Sequence, residues 1–328
     1  MEYIKQFQTH NQYEAYVESE NFIRPNVSYC VDKDELHFNN KKTTEEETRV
    51  VAYFYIDNPG TYAIMGYDPQ SVSFVPGGSL PEPEAFFTDY FDDIEIDGVL
   101  MDEITGTYQF DTTGYHVIKY TLNDPTEISD YAFGECSKMT YVKMPTGITS
   151  IGEFAFGNTN LHNITIPETV TEIGNGAFYK PNIDDFGETP TIFGGKANLI
   201  IPDSVTRIGQ SAFYNYAYDT LFVFIGKNVN NIGSQAFSNT QYAQWESSDT
   251  KIFYFFGTTP PLVSNNFTYN PYAILVPPES INDYKQTTGF TNYTYIIYDY
   301  NKELELSNNQ TTTENNEDFG PIPDIPNR

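Results

Sequence analysis

The residues that could do chemistry are few and dispersed. The most suggestive group is Asp93-Ile94-Glu95-Ile96-Asp97-Gly98. It matches the start of a calcium-binding EF-hand loop, with carboxylates at positions 1, 3 and 5 and glycine at position 6. Position 12 of such a loop calls for a bidentate glutamate, and this chain has Ile104 there, with no flanking helices evident. Carboxylates alternating with isoleucine fit a strand with one solvated face, ended by an Asp-Gly turn. The four histidines, His10, His37, His116 and His162, are spread over separate segments. None belongs to a metal-spaced pair or accompanies a Gly-x-Ser-x-Gly nucleophile elbow. Cys30 and Cys136 lie far apart, in a pattern of neither a disulfide framework nor a zinc site. No carboxylate pair stands out for glycoside hydrolysis. The sequence therefore assigns no catalytic residue, no metal and no cofactor, and the expectation is a protein that is not an enzyme.

Charge narrows the partners. The chain of 328 residues has only 17 Lys and Arg and a net charge of −28, which argues against nucleic acid and anionic membranes as partners. By segment the charge is −4 for 1–46, −12 for 47–124, −8 for 125–300 and −4 for 301–328. No apolar run reaches the roughly 18 residues of a membrane span, so no membrane insertion is expected. The opening Met1-Glu2-Tyr3-Ile4-Lys5-Gln6 lacks the basic and apolar regions of a signal peptide.

The elements that must position any site are organised by a recurring phrase. An isoleucine, a three-residue gap and Ala-Phe recur at Ile128–Phe133, Ile151–Phe156, Ile173–Phe178, Ile208–Phe213 and Ile232–Phe237. The phenylalanines are 23, 22, 35 and 24 residues apart, so three of four steps share a period near 23. Short alternating runs ending in Met144-Pro145, Ile166-Pro167, Ile201-Pro202 and Ile225-Gly226 precede most copies. Self-similarity at such a period predicts a solenoid whose units bury their inner faces only by stacking. In each unit a short strand ends at Pro or Gly, the chain turns, and the Ile, Ala and Phe of a return arm drop inward at about one helical turn's spacing.

This pattern resembles the BspA-like leucine-rich repeats, whose units read approximately apolar-x-Ile-Pro-x-x-Val-Thr-x-Ile-Gly-x-x-Ala-Phe. Ile166 to Phe178 and Ile201 to Phe213 match almost position for position. The resemblance covers about residues 125–300. It places a surface insertion near Pro181–Lys196, an atypical capping copy at 122–133, and a closing unit through Thr258–Pro261, Ile274–Pro277 and Tyr284-Lys285, ending near Tyr298.

Upstream, residues 47–124 read as strands between Pro/Gly turns: Val50–Ile56, Tyr62–Gly66, Val72–Val75, Ile94–Ile96, Thr107–Phe110 and Tyr115–Leu122. Asp111-Thr112-Thr113-Gly114 signals a hairpin, and the whole suggests a small immunoglobulin-like β-sandwich. Residues 1–46 are too few for a core of their own. They include a helical stretch around Asn11–Glu18 and carry Tyr3, Phe7, Tyr13, Tyr16 and Tyr29 as candidate anchor residues. Their wording, Gln-Phe-x-Thr-His and then Arg-Pro-Asn-Val-Ser-Tyr-Cys, is similar to N-terminal segments of virion-associated proteins of crAss-like bacteriophages. That resemblance implies a virion location and docking on a capsid or other virion protein. Residues 301–328 form an Asn/Thr/Glu-rich tail with Gly320-Pro321-Ile322-Pro323.

The expected architecture is mostly β: anchor segment, immunoglobulin-like module and solenoid. If the strand Ile and Val positions point inward, the outward pairs are Tyr141/Lys143, Asn163/Thr165, Asn198/Ile200, Phe222/Phe224, Phe253/Phe255 and Ala273/Leu275. That face turns apolar along the stack, which makes Phe222, Phe224, Phe253, Phe255 and Leu275 the candidate binding surface for a second copy or for a host glycan or protein. The expected function is a virion decoration or head-fibre protein acting through multivalency, with a bacterial cell-surface adhesin as the alternative. A carbohydrate-active enzyme is the remaining reading.

Overall fold

The computed structural model describes residues 48–67, 86–161, 163–180, 199–215, 222–238, 251–268 and 271–299, and the backbones of three N-terminal strands. Those strands are β1 (Ile4–Phe7), β2 (Val27–Cys30) and β3 (Glu35–Phe38). β2 is central, parallel to β1 and antiparallel to β3. The helical stretch at Asn11–Glu18, the strand at Val72–Val75, the Pro181–Lys196 insertion and the C-terminal tail lie outside the described residues.

β4 (Arg49–Ile56) is a run of β-branched and aromatic residues that ends at Asn58-Pro59-Gly60. Then come β5 (Gly60–Ala63), β6 (Phe91–Ile96), β7 (Val99–Leu100), β8 (Thr107–Phe110) and β9 (Gly114–Leu122). The Asp-Gly turn forms as expected: Asp97 (φ 50°) and Gly98 (φ 85°) are both left-handed, as a tight β6–β7 hairpin requires. The hairpin expected at Asp111–Gly114 does not form. β8 pairs with β5, while β9 pairs with β4 and β6, so this turn carries the chain from one sheet to another. β9 is enclosed by two long partners, and no edge remains for β8.

The solenoid alternates two kinds of strand. Two-residue strands β10 (Glu127–Ile128), β12 (Ser150–Ile151), β14 (Glu172–Ile173), β16 (Arg207–Ile208), β18 (Asn231–Ile232) and β20 (Leu262–Val263) make one unbroken parallel sheet. Opposite them stand β11 (Met139–Lys143) and β13 (Asn163–Ile164), then β15 (Leu199–Ile201), β17 (Phe222–Ile225), β19 (Ile252–Phe255), β21 (Ala273–Val276) and β22 (Ile297–Asp299). This second wall is split in two at the 35-residue step, between β13 and β15. The isoleucine sheet keeps its register across the same step, with Ile173 opposite Ile208.

The arm after each isoleucine is a tight turn and not a helical turn. Its third residue is left-handed in every copy: Tyr131, Phe154, Gly176, Ser211 and Gln235, at φ between 48° and 59°. A left-handed residue stops helix propagation, and the freed N–H groups bond to the next repeat. Phe154 N–H donates to Asn175 O (2.9 Å) and Gly176 N–H to Gln210 O (2.8 Å). The following Ala and Phe drop inward as expected. Phe133, Phe156, Phe178, Phe213 and Phe237 stack in one file, with centroids 5.2–5.3 Å apart and planes within 9°. Each buried ring contributes roughly 1.5–3 kcal/mol.

The larger upstream sheet differs from a free-standing immunoglobulin-like sandwich in one important respect. It does not end within the module. β11 of the solenoid pairs antiparallel with β4, giving a six-stranded order β13-β11-β4-β9-β6-β7. A single apolar core therefore runs from Val50 through the phenylalanine file to Ile297. At the far end, helix α1 (Ile281–Gln286) caps the stack by burying Tyr284, whose hydroxyl donates to Gly257 O at 2.8 Å.

Candidate functional site

The candidate binding surface on the second wall divides between two faces. β17, β19 and β21 pair with Val223 opposite Phe253 and Ile274, and with Phe224 opposite Tyr254 and Leu275. Phe253 and Phe255 therefore point into the core, at 0% and 1% exposure, and not outward as expected. The outward residues of β19 are Ile252 and Tyr254. The strands read Phe-Val-Phe-Ile, Ile-Phe-Tyr-Phe and Ala-Ile-Leu-Val, apolar on both faces, so their sequences carry no phase and only the ladder sets it. Phe222, Phe224 and Leu275 do lie on the outer face, with Ile252, Tyr254 and Ala273. That face is not open to solvent: Phe224 is 2% exposed and Leu275 0%.

The other candidates are placed as follows. Phe7 and Tyr29 fall in β1 and β2, while Tyr3, Tyr13 and Tyr16 lie outside the described residues, as do His10 and His162. The EF-hand-like carboxylates are held by protein partners. Asp93 and Glu95 meet Arg49, Glu95 also meets Lys119, and Asp97 bonds His116. Among the described residues no cluster of His, Cys, Asp or Glu gathers as a metal site. Cys136 is buried as a free thiol, and burial pushes its pKa up.

A groove forms where the isoleucine sheet meets the turns. Its floor is Gly152 and Gly174, stacked so closely that a Cβ on Gly174 would sit 2.6 Å from the Gly152 backbone. One wall is the outward row of the strands, Glu127, Ser150, Glu172 and Arg207. The other is the row that follows in the turns, Asp130, Glu153 and Asn175. The hollow has a volume of about 410 Å³, in the range of ligand pockets. Tyr90 from the upstream module closes one end. Burial raises its phenol pKa, and the Asp130 and Glu127 carboxylates add to the rise.

Rigidity comes from side chains bonded to the next rung. Asp130 Oδ1 accepts the Glu153 N–H (2.6 Å) and Asn175 Oδ1 the Gln210 N–H (2.9 Å). Thr149, Thr171 and Thr206 each donate to the threonine carbonyl one rung back, at 3.1 Å. Beside the groove runs a ribbon of half-buried rings, Phe87, Tyr131, Phe154, Tyr179 and Tyr214, each 5.1–6.4 Å from the next.

Residues 103–190 and 195–255 match the BspA type leucine rich repeat region in six copies. Over these residues the chain is similar to BspA-type leucine-rich repeats, and its described strands stack as a solenoid. Among solved structures, a leucine-rich repeat protein from Bacteroides ovatus matches at 18% identity and a TM-score of 0.26, over 47% of this chain. The chain spans 44% of that protein. No curated protein matches.

One wall of the groove is made by the second residue after each repeat isoleucine. Asp130, Glu153, Asn175, Gln210 and Ser234 occupy that place in successive repeats. Sequence reasoning passed over this row because it follows no composition rule. Its constant offset from the Ile-Ala-Phe phrase was the signal that could have found it.

Proposed function

We propose that this protein is a non-enzymatic interaction module of adhesin-like type, in which the BspA-type solenoid presents its corner groove to an external ligand. The observation that carries this reading is the groove itself. It is an open, ligand-sized hollow on a rigid repeat scaffold, walled by side chains that vary between repeats while its floor and core do not. The wording of residues 1–46 additionally supports a place on a virion.

The test is retention of labelled full-length protein on intact bacterial cells and on mucin-coated beads, compared with Ser150→Arg and Glu153→Arg. These two substitutions crowd the groove from its rims without touching the core. Loss of retention in the variants with unchanged thermal unfolding supports the reading. Equal retention by all three proteins takes the groove out of it.

A further inference from the structure

The corner that carries the groove has a second hollow, and its chemistry identifies the kind of ligand. It lies at the C-terminal end, where the fifth repeat meets the cap, with a volume of about 390 Å³. Its lining is made of hydroxyls, amides and glycine alone, including Gln235, Asn265, Asn266, Thr288 and Asn292. No charge is present to recognise an ion, and no apolar side chain to reward an apolar ligand. Each amide offers both donor and acceptor. Such a lining complements a neutral molecule dense in groups that donate and accept at once. Asn292 Nδ2 already donates to Asn266 Oδ1 at 3.0 Å, which fixes the orientation of both amides.

The first groove adds a complementary set of groups. Tyr90 provides an aromatic wall, Ser150 a hydroxyl, Glu127, Asp130, Glu153 and Glu172 carboxylates that accept hydrogen bonds from sugar hydroxyls, and Arg207 a donor. Asn175 and Ser234 occupy the same place in repeats two rungs apart, about 10 Å at the usual inter-strand spacing. A polymer laid along the corner therefore meets polar groups at every rung.

A peptide is the weaker occupant. Extended peptides dock chiefly by adding a strand to a free backbone edge. Here the turn N–H groups are spent between rungs: Phe154 to Asn175, Gly176 to Gln210 and Ser211 to Ser234. Nucleic acid is disfavoured by the acidic walls.

We infer that the corner of the solenoid binds a neutral, hydroxyl-rich glycan chain that spans both hollows. This inference rests on the groove being the interaction site, and its test separates the two. The probes are linear neutral pentasaccharides (cello-, xylo-, malto- and manno-series), polygalacturonate and poly-lysine, titrated calorimetrically into full-length protein. One neutral series is expected to bind with little salt dependence, at least tenfold more weakly to Tyr90→Ala and to Asn292→Ala. Tyr90→Phe, which keeps the ring, is expected to retain most of the binding. Binding of poly-lysine alone, lost steeply with salt, overturns the glycan assignment and marks the groove as a simple acidic surface. If no sugar binds while Ser150→Arg still abolishes retention on cells or mucin, the glycan inference fails and the interaction module stands.

Discussion

His116 Nδ1 lies 2.7 Å from Oδ2 of Asp97, tying the start of β9 to the β6–β7 turn. The other ring nitrogen, Nε2, is 3.1 Å from the carbonyl oxygen of Thr112. A carboxylate and a carbonyl both accept, so the arrangement is satisfied by a doubly protonated ring. The hydrogen bond to Asp97 is the main cause that raises the His116 pKa above 6.5, against the lowering effect of burial. β4 presents Phe54 opposite His116, and the ring of Phe110 from β8 packs 4.7 Å away. A histidine whose folded pKa is raised stabilises the fold fully below its unfolded value, and that contribution is lost as pH rises through the folded value. Urea midpoints measured from about pH 6 to pH 9 should therefore fall more steeply for wild type than for His116→Gln. Equal slopes in the two proteins would show that His116 titrates as an ordinary histidine.

The phenylalanine file predicts a graded cost of truncation. Phe178 lies between Phe156 and Phe213, at 5.3 and 5.2 Å, and is buried. Phe178→Ala should destabilise by about 3–5 kcal/mol. Because stability in a stack propagates through neighbouring repeats, the loss is expected to broaden or split the denaturation transition. A simple shift of under about 1 kcal/mol would mean that the neighbouring repeats collapse into the gap.

Two glycines separate backbone strain from steric exclusion. Gly98 is left-handed at φ 85°, and a Cβ there would meet nothing within 4 Å. Gly176 is left-handed at φ 59°, and a Cβ there would sit 2.5 Å from the Phe154 ring. Gly98→Ala should cost about 1 kcal/mol from strain alone. Gly176→Ala should cost more, and part of that excess should disappear in a Phe154→Ala background. A double-mutant cycle with no coupling would place the Phe154 ring elsewhere in solution.

The shared core predicts that the upstream module does not fold by itself. β4 loses its β11 partner when the solenoid is removed, and Phe91 and Tyr120 lose Phe133, which packs on them at 5.5 and 5.0 Å. A 47–124 fragment should bind ANS and lack a cooperative thermal transition. A sharp transition in that fragment would establish it as an independent domain.

At the cap, Tyr284→Phe removes the hydroxyl that donates to the Gly257 carbonyl in a buried site. The expected loss is about 1–2 kcal/mol, read from the thermal or urea midpoint. No change would show that water satisfies that carbonyl.

Much of this architecture was legible in the residues themselves. The Ile-x-x-x-Ala-Phe phrase placed the inner ladder because only alanine permits the close approach and only a large ring fills the interior, and the phrase repeats in phase. Asp97-Gly98 likewise announced its hairpin, since both residues tolerate the left-handed backbone the turn demands. Pairing was a different matter. Asp111–Gly114 signalled a turn correctly, but turn chemistry is local, and β4 and β6 together decided which strands β9 would join. The face of Phe253 and Phe255 was undetermined for a related reason: a strand apolar on both sides has no alternation, and pairing with Val223 and Ile225 supplied the phase. The groove is the clearest case of all. Asp130, Glu153 and Asn175 are unrelated residues dozens of positions apart at the extremes, and they form one wall only because the backbone ladder stacks their turns. The sequence by itself determined the repeat and its core, because burial constrains residue type. Tertiary structure decided the surface, because stacking brings side chains together without constraining what they are.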